Sequence, residues 1–516
     1  MSGRTNCWGV FGSPALLISV ALFAGNVLGF LRDALIAFHF GAGPESDAYF
    51  LALTLPSVLT IWLWNGLTAS FVPIYADSRR EGTSAEVFHA VFSNSTVMFA
   101  LLAGIGVLAS RTLVTLLAPG FQPAQLELAV GLSQVMMIGL LFTGLSGLLT
   151  GLLNYHQSFL SPALKALVNN LVVMLVLLFF VPHLGIRSLA LGFVAGSVAQ
   201  VAVMLPAMRK LGLGVRWHLN LRSTQFWRML SLAGPLFIGL AVSQLNLIIA
   251  RAFSTSLPEG SLTAYSLANN LVLLPGTIFA ASVATVAFPK LVEFHAGGDS
   301  RGFTDCLSKA LETIAFIALP ATVLLVSLRG PILTALFQRG QFDGSAVAAT
   351  GAVLLYLGLG ILALSALQIV LKAYYALRQT WVPVWTGVLV ALVNIAASSL
   401  AVPRWGLMAL ALIGAGVPFL QLGILLLGLR RHVRWEPGTL LRYGRLILAA
   451  LPLVLFCGVA ERALQILAPL GAPGLFLGLV AVGLGGTALY VATCLALGSE
   501  AAQRLLNGVS RRFGRN

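Results

Sequence analysis

The sequence predicts an all-α polytopic membrane protein, with about 14 transmembrane helices in two pseudo-symmetric six-helix lobes plus two C-terminal helices. Three observations predict this. Of 516 residues, 58% are hydrophobic and only 9% charged, with a mean hydropathy of +0.94, whereas a soluble domain carries about 25% charged residues. Apolar runs of about 20 residues, the length that crosses a bilayer core, recur from end to end. The chain also resembles itself at an offset of 221 residues: Pro162, Pro182 and Gly185 match Pro383, Pro403 and Gly406 without a gap.

The spans can be justified in order. The first, 13–38, is apolar apart from Arg32 and Asp33. Arg4 precedes it, but the run is too long for a signal-peptide core and no small-residue cleavage site follows, so it reads as a retained helix. Asp47 opens span 47–75, Pro56 would bend it, and Asp77 lies at its inner end. Runs 88–110 and 127–154 follow, then 160–181 with Lys165, and 185–208, which ends at Arg209 and Lys210. Past the polar connection 209–225, span 226–252 carries Arg251 near its end, and 262–289 carries Asn269, Asn270 and Pro275. After the second long connection, 290–307, come 308–328, 345–374, 381–402, 405–429, 443–463 and 472–498. No connection is long enough for a soluble domain. The division is therefore 1–220 for the N-lobe with spans 1–6 and 221–435 for the C-lobe with spans 7–12. Residues 436–516 hold spans 13–14 and a basic tail.

Further echoes support the repeat. Tyr155–Pro162 parallels Tyr375–Pro383, and Leu-Ala-Leu after Ser188 recurs after Ala409. Leu55-Pro56 and Phe71-Val72-Pro73 parallel Leu274-Pro275 and Phe288-Pro289 with unequal spacing. An offset of six spans keeps both copies in the same membrane orientation. Parallel lobes of this kind suit alternating access.

The net charge of +15 invites a nucleic-acid reading, which its distribution excludes. With 14 spans and a cytoplasmic N-terminus, 22 of the 31 Lys and Arg fall inside and six outside; Arg32, Lys165 and Arg251 lie within spans. This is the positive-inside bias, with attraction to anionic membrane lipids as its corollary. Enzyme motifs are missing: no H-E-x-x-H, G-x-S-x-G or P-loop occurs, and no His or Cys cluster. The expectation is no enzyme, no cofactor and no metal. Cys7, Cys306, Cys457 and Cys494 show no CxxC spacing, which argues against a disulfide framework.

Charges at membrane depth cost roughly 2.5–3.5 kcal/mol each even on insertion scales, so Arg32 and Asp33 suggest a water-reached cavity entered by something charged, or an ion pair that fixes helix packing. Gly25, Gly29 and Arg32 share one helix face, with Asn26 and Asp33 on a neighbouring one. Lys165 and Arg251 either line the cavity or snorkel to an interface. Most intramembrane amides, among them Asn65, Asn169, Asn170 and Asn394, read as interhelical glue. Asn269 and Asn270, just before Leu273-Leu274-Pro275, best suit a cavity-facing position.

These residues carry a family resemblance. The R-D-x-x-x-A-x-x-F-G-A-G-x-x-x-D-A-[FY] string from Arg32 to Tyr49, with Phe71-VPIYA-Asp77, Leu274-Pro275-Gly276, Ala287-FPK-Leu291 and Leu336-FQRGQF-Asp343, resembles the MurJ (MviN) family. These are lipid II flippases of the multidrug/oligosaccharidyl-lipid/polysaccharide exporter superfamily. The resemblance covers nearly the whole chain. It implies a V-shaped cationic cavity for the diphosphate and sugars of lipid II, and a groove near spans 13 and 14 for its tail. It implies transport toward the periplasmic leaflet for peptidoglycan synthesis and cell shape, in a bacterial inner membrane with both termini cytoplasmic. The partners implied are the lipid-linked substrate, membrane lipids and the cell-wall synthesis machinery, with no nucleic acid.

Arg32, Asp33 and Asp47 match the family pattern directly. With Asn26, Asn65, Asn270, Lys165 and Arg251 they form the candidate substrate-binding set. The chain departs elsewhere: Gly25-Asn26 replaces Ser-Arg, Thr60 and Ile61 stand where arginine is expected, Asn65 near an expected acid, and Ala268-Asn269-Asn270 replaces A-D-R. Spans 7 and 11 hold no Asp or Glu, against the sodium site that some members of the family build from acids there. The departures leave two alternatives: a divergent paralogue exporting another lipid-linked saccharide or amphipathic molecule, and a transport-inactive envelope scaffold.

Overall fold

The computed structural model describes residues 13–214, 216–433, 438–467 and 471–504, and every regular element among them is helical. Two compact units emerge, Met1–Gly260 and Ser261–Asn516.

The first unit opens with α1 (Ser13–Phe40), a single helix through Arg32 and Asp33. The second span is built from α2 (Pro44–Ala52), α3 (Thr54–Trp62), a π-helical turn at Leu63–Leu67 and α4 (Thr68–Arg80). Its break falls at Leu53, in the turn before Pro56, where the ring leaves the Ala52 carbonyl without its helical partner. Pro56 occupies the first turn of α3, where helices tolerate proline. Then follow α5 (Ser84–Leu117), α6 (Pro123–Tyr155), α7 (Leu160–Leu184), α8 (Arg187–Ala202), the short α9 (Leu205–Lys210) and α10 (Thr224–Ser254). By its contacts α10 packs on α3, α4 and α5. Lipid gives no hydrophobic drive between helices, so close approach depends on small residues. Gly144 of α6 makes room for the Phe99 ring of α5, and Gly139 for Phe193 of α8. The polar connection lies along α5: the Arg216, His218 and Asn220 amides donate to His89, Ser93 and Asn94, and Asn94 donates back to the Asn220 carbonyl at 2.6 Å.

The second unit comprises α11 (Ser261–Pro275), a π-helical turn at Gly276–Ala280, α12 (Ala281–Ala296), α13 (Ser300–Ser327), α14 (Arg329–Phe337), α15 (Gly344–Gly358), α16 (Ile361–Ala376), α17 (Trp381–Leu429), α18 (Thr439–Leu467) and α19 (Gly471–Ala496). Here Pro275 does end its helix, and the wider turn follows it. α17 contains two spans joined at Gly406, whose backbone is not helical. α15 and α16 form one span bent by 43°. The last two helices pack on α13 through Phe316, Leu446, Leu453, Tyr490 and Cys494, and Arg504 reaches back to the buried Glu312. Among the described residues nine helices are long and apolar enough to cross a membrane, or ten with the bent pair as one. Counting α17 twice, assembling the broken spans α2–α4 and α11–α12, and adding α10 recovers the expected 14.

The backbone carries the 221-residue repeat more faithfully than the side chains do. Gly185 and Gly406 share one conformation, φ 54 and ψ −137 against φ 59 and ψ −141. Gln157 and Arg378, at φ 57 and 58, are the non-glycine residues in the left-handed region among those described. Each closes its helix with equivalent bonds, Gln157 N–H to Asn154 O and Arg378 N–H to Tyr375 O. α6 and the α15–α16 pair start and end at equivalent residues, as do the starts of α7 and α17.

Candidate functional site

Most of the charged and polar residues predicted to matter are gathered inside the first unit. Arg32 and Asp33 are adjacent on α1, and Arg32 donates from Nε at 3.1 Å and Nη2 at 2.8 Å to one oxygen of Asp33. Its Nη1 donates to Asn170 Oδ1 on α7 at 3.0 Å, while Asn170 Nδ2 donates to the Gly25 carbonyl at 2.9 Å. One buried amide thus satisfies α1 in two places. The small residues serve close approach: a Cβ on Gly25 would stand 3.3 Å from Ala166, and one on Gly29 3.3 Å from Asn170. Asp33 is buried, with its side chain 5% exposed, and the Arg32 side chain 25%. Charge-assisted bonds of this kind are the strong ones, so the pair fixes α1 against α7 while keeping one edge of the guanidinium accessible.

Lys165, also on α7, stands differently. Its Nζ lies 3.6 Å from the centre of the Trp64 ring and 3.5 Å from Thr150 Oγ1, the outer edge of hydrogen bonding. A desolvated cation over indole gains about 2 kcal/mol. Trp64 sits in the π-helical turn and is pinned to α6, its Nε1 donating to the Thr143 carbonyl at 2.7 Å. Gly147 permits this, since a Cβ there would come within 2.8 Å of the indole. Thr60 pairs with Thr143 at 3.1 Å, and Thr68 donates to the Gly147 carbonyl at 3.0 Å. Behind Lys165, Thr150 donates to the Ser146 carbonyl, Ser146 to Gln200 of α8, and Gln200 to Asn169 of α7 at 2.9 Å. A polar seam therefore runs across α1, α7, α8, α6 and the π-helical turn.

The other candidates scatter. Asp47 is buried and accepts the Gly260 N–H at 2.7 Å, tying the end of the unit to α2. Gly260 has φ +84, and a Cβ there would stand 2.5 Å from the Ala42 carbonyl. Arg251 is buried and donates to Phe50 O at 3.1 Å and Thr54 Oγ1 at 2.9 Å, across the break between α2 and α3. Tyr49, buried beside them, feels the charges of Arg32, Asp33 and Arg251. Asn26 is exposed on α1. The Asn65 side chain lies outside the described residues. Asn270 is half-buried on α11 in the second unit. Sequence reasoning passed over Trp64, Thr150 and Gln200. An indole in the same span as Asn65, opposite a lysine-bearing span, was the available signal. Among the described residues no group of three or more His, Cys, Asp or Glu could hold a metal.

Comparison with known proteins matches residues 36–481 to the family model described as Lipid II flippase MurJ. A lipid II flippase MurJ of Burkholderia cenocepacia is 28% identical over 453 residues, covering 85% of this chain and 88% of the relative. Among solved structures, an inward closed conformation of lipid II flippase MurJ superposes with a TM-score of 0.77 at 22% identity. That match covers 95% of this chain and 100% of the other. An inward-facing multidrug resistance MATE family transporter of the MOP superfamily gives 0.67 at 14% identity, over 81% of this chain and 97% of the other. At these identities the two structures establish the fold.

Proposed function

Because this chain belongs to the lipid II flippase MurJ family, we propose that it moves a polyprenyl-diphosphate-linked saccharide, foremost lipid II, across a bacterial inner membrane by alternating access. The movement runs from the cytoplasmic to the outer leaflet, for peptidoglycan synthesis, with both termini cytoplasmic. One observation carries the reading: a matched flippase-family chain places a polar, cation-bearing seam inside otherwise apolar helices, where isolated charge is expensive. Arg32 and Lys165 are the charges proposed to meet the substrate. Asp33 and Asn170 orient Arg32, while Asn26, Asn65 and Asn270 offer hydrogen bonds to phosphate or sugar. Asp47 and Arg251 contribute by holding α2, α3 and α10 in place.

A second reading, export of a less anionic lipid-linked saccharide by a divergent paralogue, is favoured by Thr60, Ile61 and Asn269 where the family resemblance implies charge. Thr60 pairs with the Thr143 hydroxyl. Complementation of a flippase-depleted bacterium tests the choice. The first reading expects growth and normal cell shape. Absence of rescue by membrane-inserted protein overturns it, and leaves the second reading or a transport-inactive scaffold in envelope assembly.

A further inference from the structure

The geometry points to Lys165, held on the face of Trp64, as the primary contact for the oxyanion of a diphosphate headgroup; for the identity of that ligand the inference rests on the flippase reading. Of the first unit's cations, Arg32, Lys165 and Arg251 lie within the spans read from the sequence, and two of these are already committed. Arg32 spends three N–H groups on Asp33 and Asn170 and forms with Asp33 a pair of no net charge. Arg251 is buried, bridging carbonyl and hydroxyl across a helix break. Lys165 has no carboxylate within ion-pair distance among the described residues. Its ammonium carries three donors, yet it has a ring face and one bond at the edge of hydrogen-bonding distance.

An aromatic face attracts a cation without accepting its protons as an oxyanion does, so a phosphate oxygen arriving beside Trp64 would gain the full charge of Lys165. No acid among the described residues stands within ion-pair distance to compete for it. The setting is also held in advance. The indole is fixed through Nε1 to Thr143, and Thr150 is fixed to the Ser146 carbonyl. The ammonium can therefore turn from ring to anion while its surroundings stay put. Lys165 also stands level with Gly25, since the neighbouring Ala166 touches that glycine. Arg32 lies seven residues further along α1, about 10 Å at 1.5 Å per residue. A headgroup held at Lys165 would thus meet Arg32 as a second, more distant station.

The test uses the full-length protein in detergent micelles and the emission of Trp64, isolated as the difference between wild type and Trp64→Phe. Titration with farnesyl diphosphate is expected to change that emission saturably as the ammonium leaves the indole, and farnesol is expected not to. Lys165→Gln should weaken binding about tenfold or more, while Lys165→Arg retains most of it and the surface variant Lys309→Gln all of it. Thermal unfolding of each variant separates lost binding from lost folding. Inorganic pyrophosphate acting as well as farnesyl diphosphate would support the charge contact and assign it to free phosphate. Farnesol producing the same change, no saturable change in the wild type, or Lys165→Gln binding like the wild type would each overturn the inference. Rescue by the wild type with unimpaired Lys165→Gln binding would sink only the Lys165 assignment. Lys165-dependent binding without rescue would sink only the lipid II reading.

Discussion

Helices α6 and α7 of the first unit and α15–α17 of the second share their corners but not their interiors. At equivalent positions, Thr143, Ser146 and Thr150 of α6 correspond to Leu364, Leu367 and Leu371 of α16, and Lys165, Asn169 and Asn170 of α7 to Thr386, Val390 and Ala391 of α17. The buried amide of the second copy, Asn394, lies one turn farther along and bonds Ser398 at 3.1 Å. The corners are set by backbone conformation, which the bilayer constrains in both copies alike, because unsatisfied peptide groups are so expensive there. The interiors answer to what each lobe must contact. The difference teaches that the two copies hold polar groups at different positions of a shared scaffold, since α16 carries Ser365, Gln368 and Lys372 where α6 has Gly144, Gly147 and Gly151. The straight α6 against the bent α15–α16 pair adds a mechanical asymmetry. Gly358 and Gly360 sit at the bend, where a Cβ on Gly360 would stand 3.1 Å from the Ala415 backbone.

The comparison can be broken most directly by copying the second unit into the first. Asn170→Ala, the residue at the equivalent position of α17, removes two bonds and leaves the Gly25 carbonyl and an Arg32 donor without that partner. The expected loss is about 3 kcal/mol, read as a lower thermal unfolding temperature in detergent. An unchanged temperature would show that the α1–α7 seam is not held by this amide. A smaller effect probes the shared corners. Gly185→Ala and Gly406→Ala each force a side chain into a region favourable to glycine alone, costing about 1–3 kcal/mol. The two costs should be equal and should add in the double variant; unequal costs would show that the corners, alike in angle, differ in strain.

The smallest effect concerns pH. His156, at the corner after α6, is held below its ordinary pKa by burial and then by Arg79, and it contacts Tyr75 at 3.1 Å. The neutral form is favoured in the folded state. Its contribution is therefore present above the unfolded pKa of about 6.5 and is lost as pH falls toward the lowered folded value. The equivalent residue of the second unit is Leu377. His156→Leu should flatten the slight decline in thermal stability between about pH 7 and pH 5; an unaltered slope would assign the decline to another group.

Much of this was legible before any coordinates, because lipid makes the signals loud. Charges in apolar runs stand out, so Arg32, Asp33, Lys165 and Arg251 could be picked directly, and proline and glycine at matching offsets exposed the repeat. What could not be read was partnership. Arg251 and Asp47 carry charge like Lys165, but among their partners are the Phe50 carbonyl and the Thr54 hydroxyl at a helix break and the Gly260 N–H in a loop, and nothing in a linear sequence marks such backbone groups as partners. Trp64 was hidden by being one apolar residue among many, and Gln200 by its distance along the chain from the residues it joins. The break in the second span, at Leu53, falls in the turn before Pro56, where a proline ring disturbs the carbonyl four residues back.

The gap-free match from the start of α6 to Gly185, and from the start of α15 to Gly406, has a consequence for how this protein can vary. A single residue inserted in a helix rotates everything beyond it by about 100°. In α7 that would turn Asn170 away from α1, into the exposed place now held by Leu171. Length between the corners is thus far less free to drift than composition. The two copies could exchange lysine for threonine and asparagine for alanine along this stretch without once changing their register.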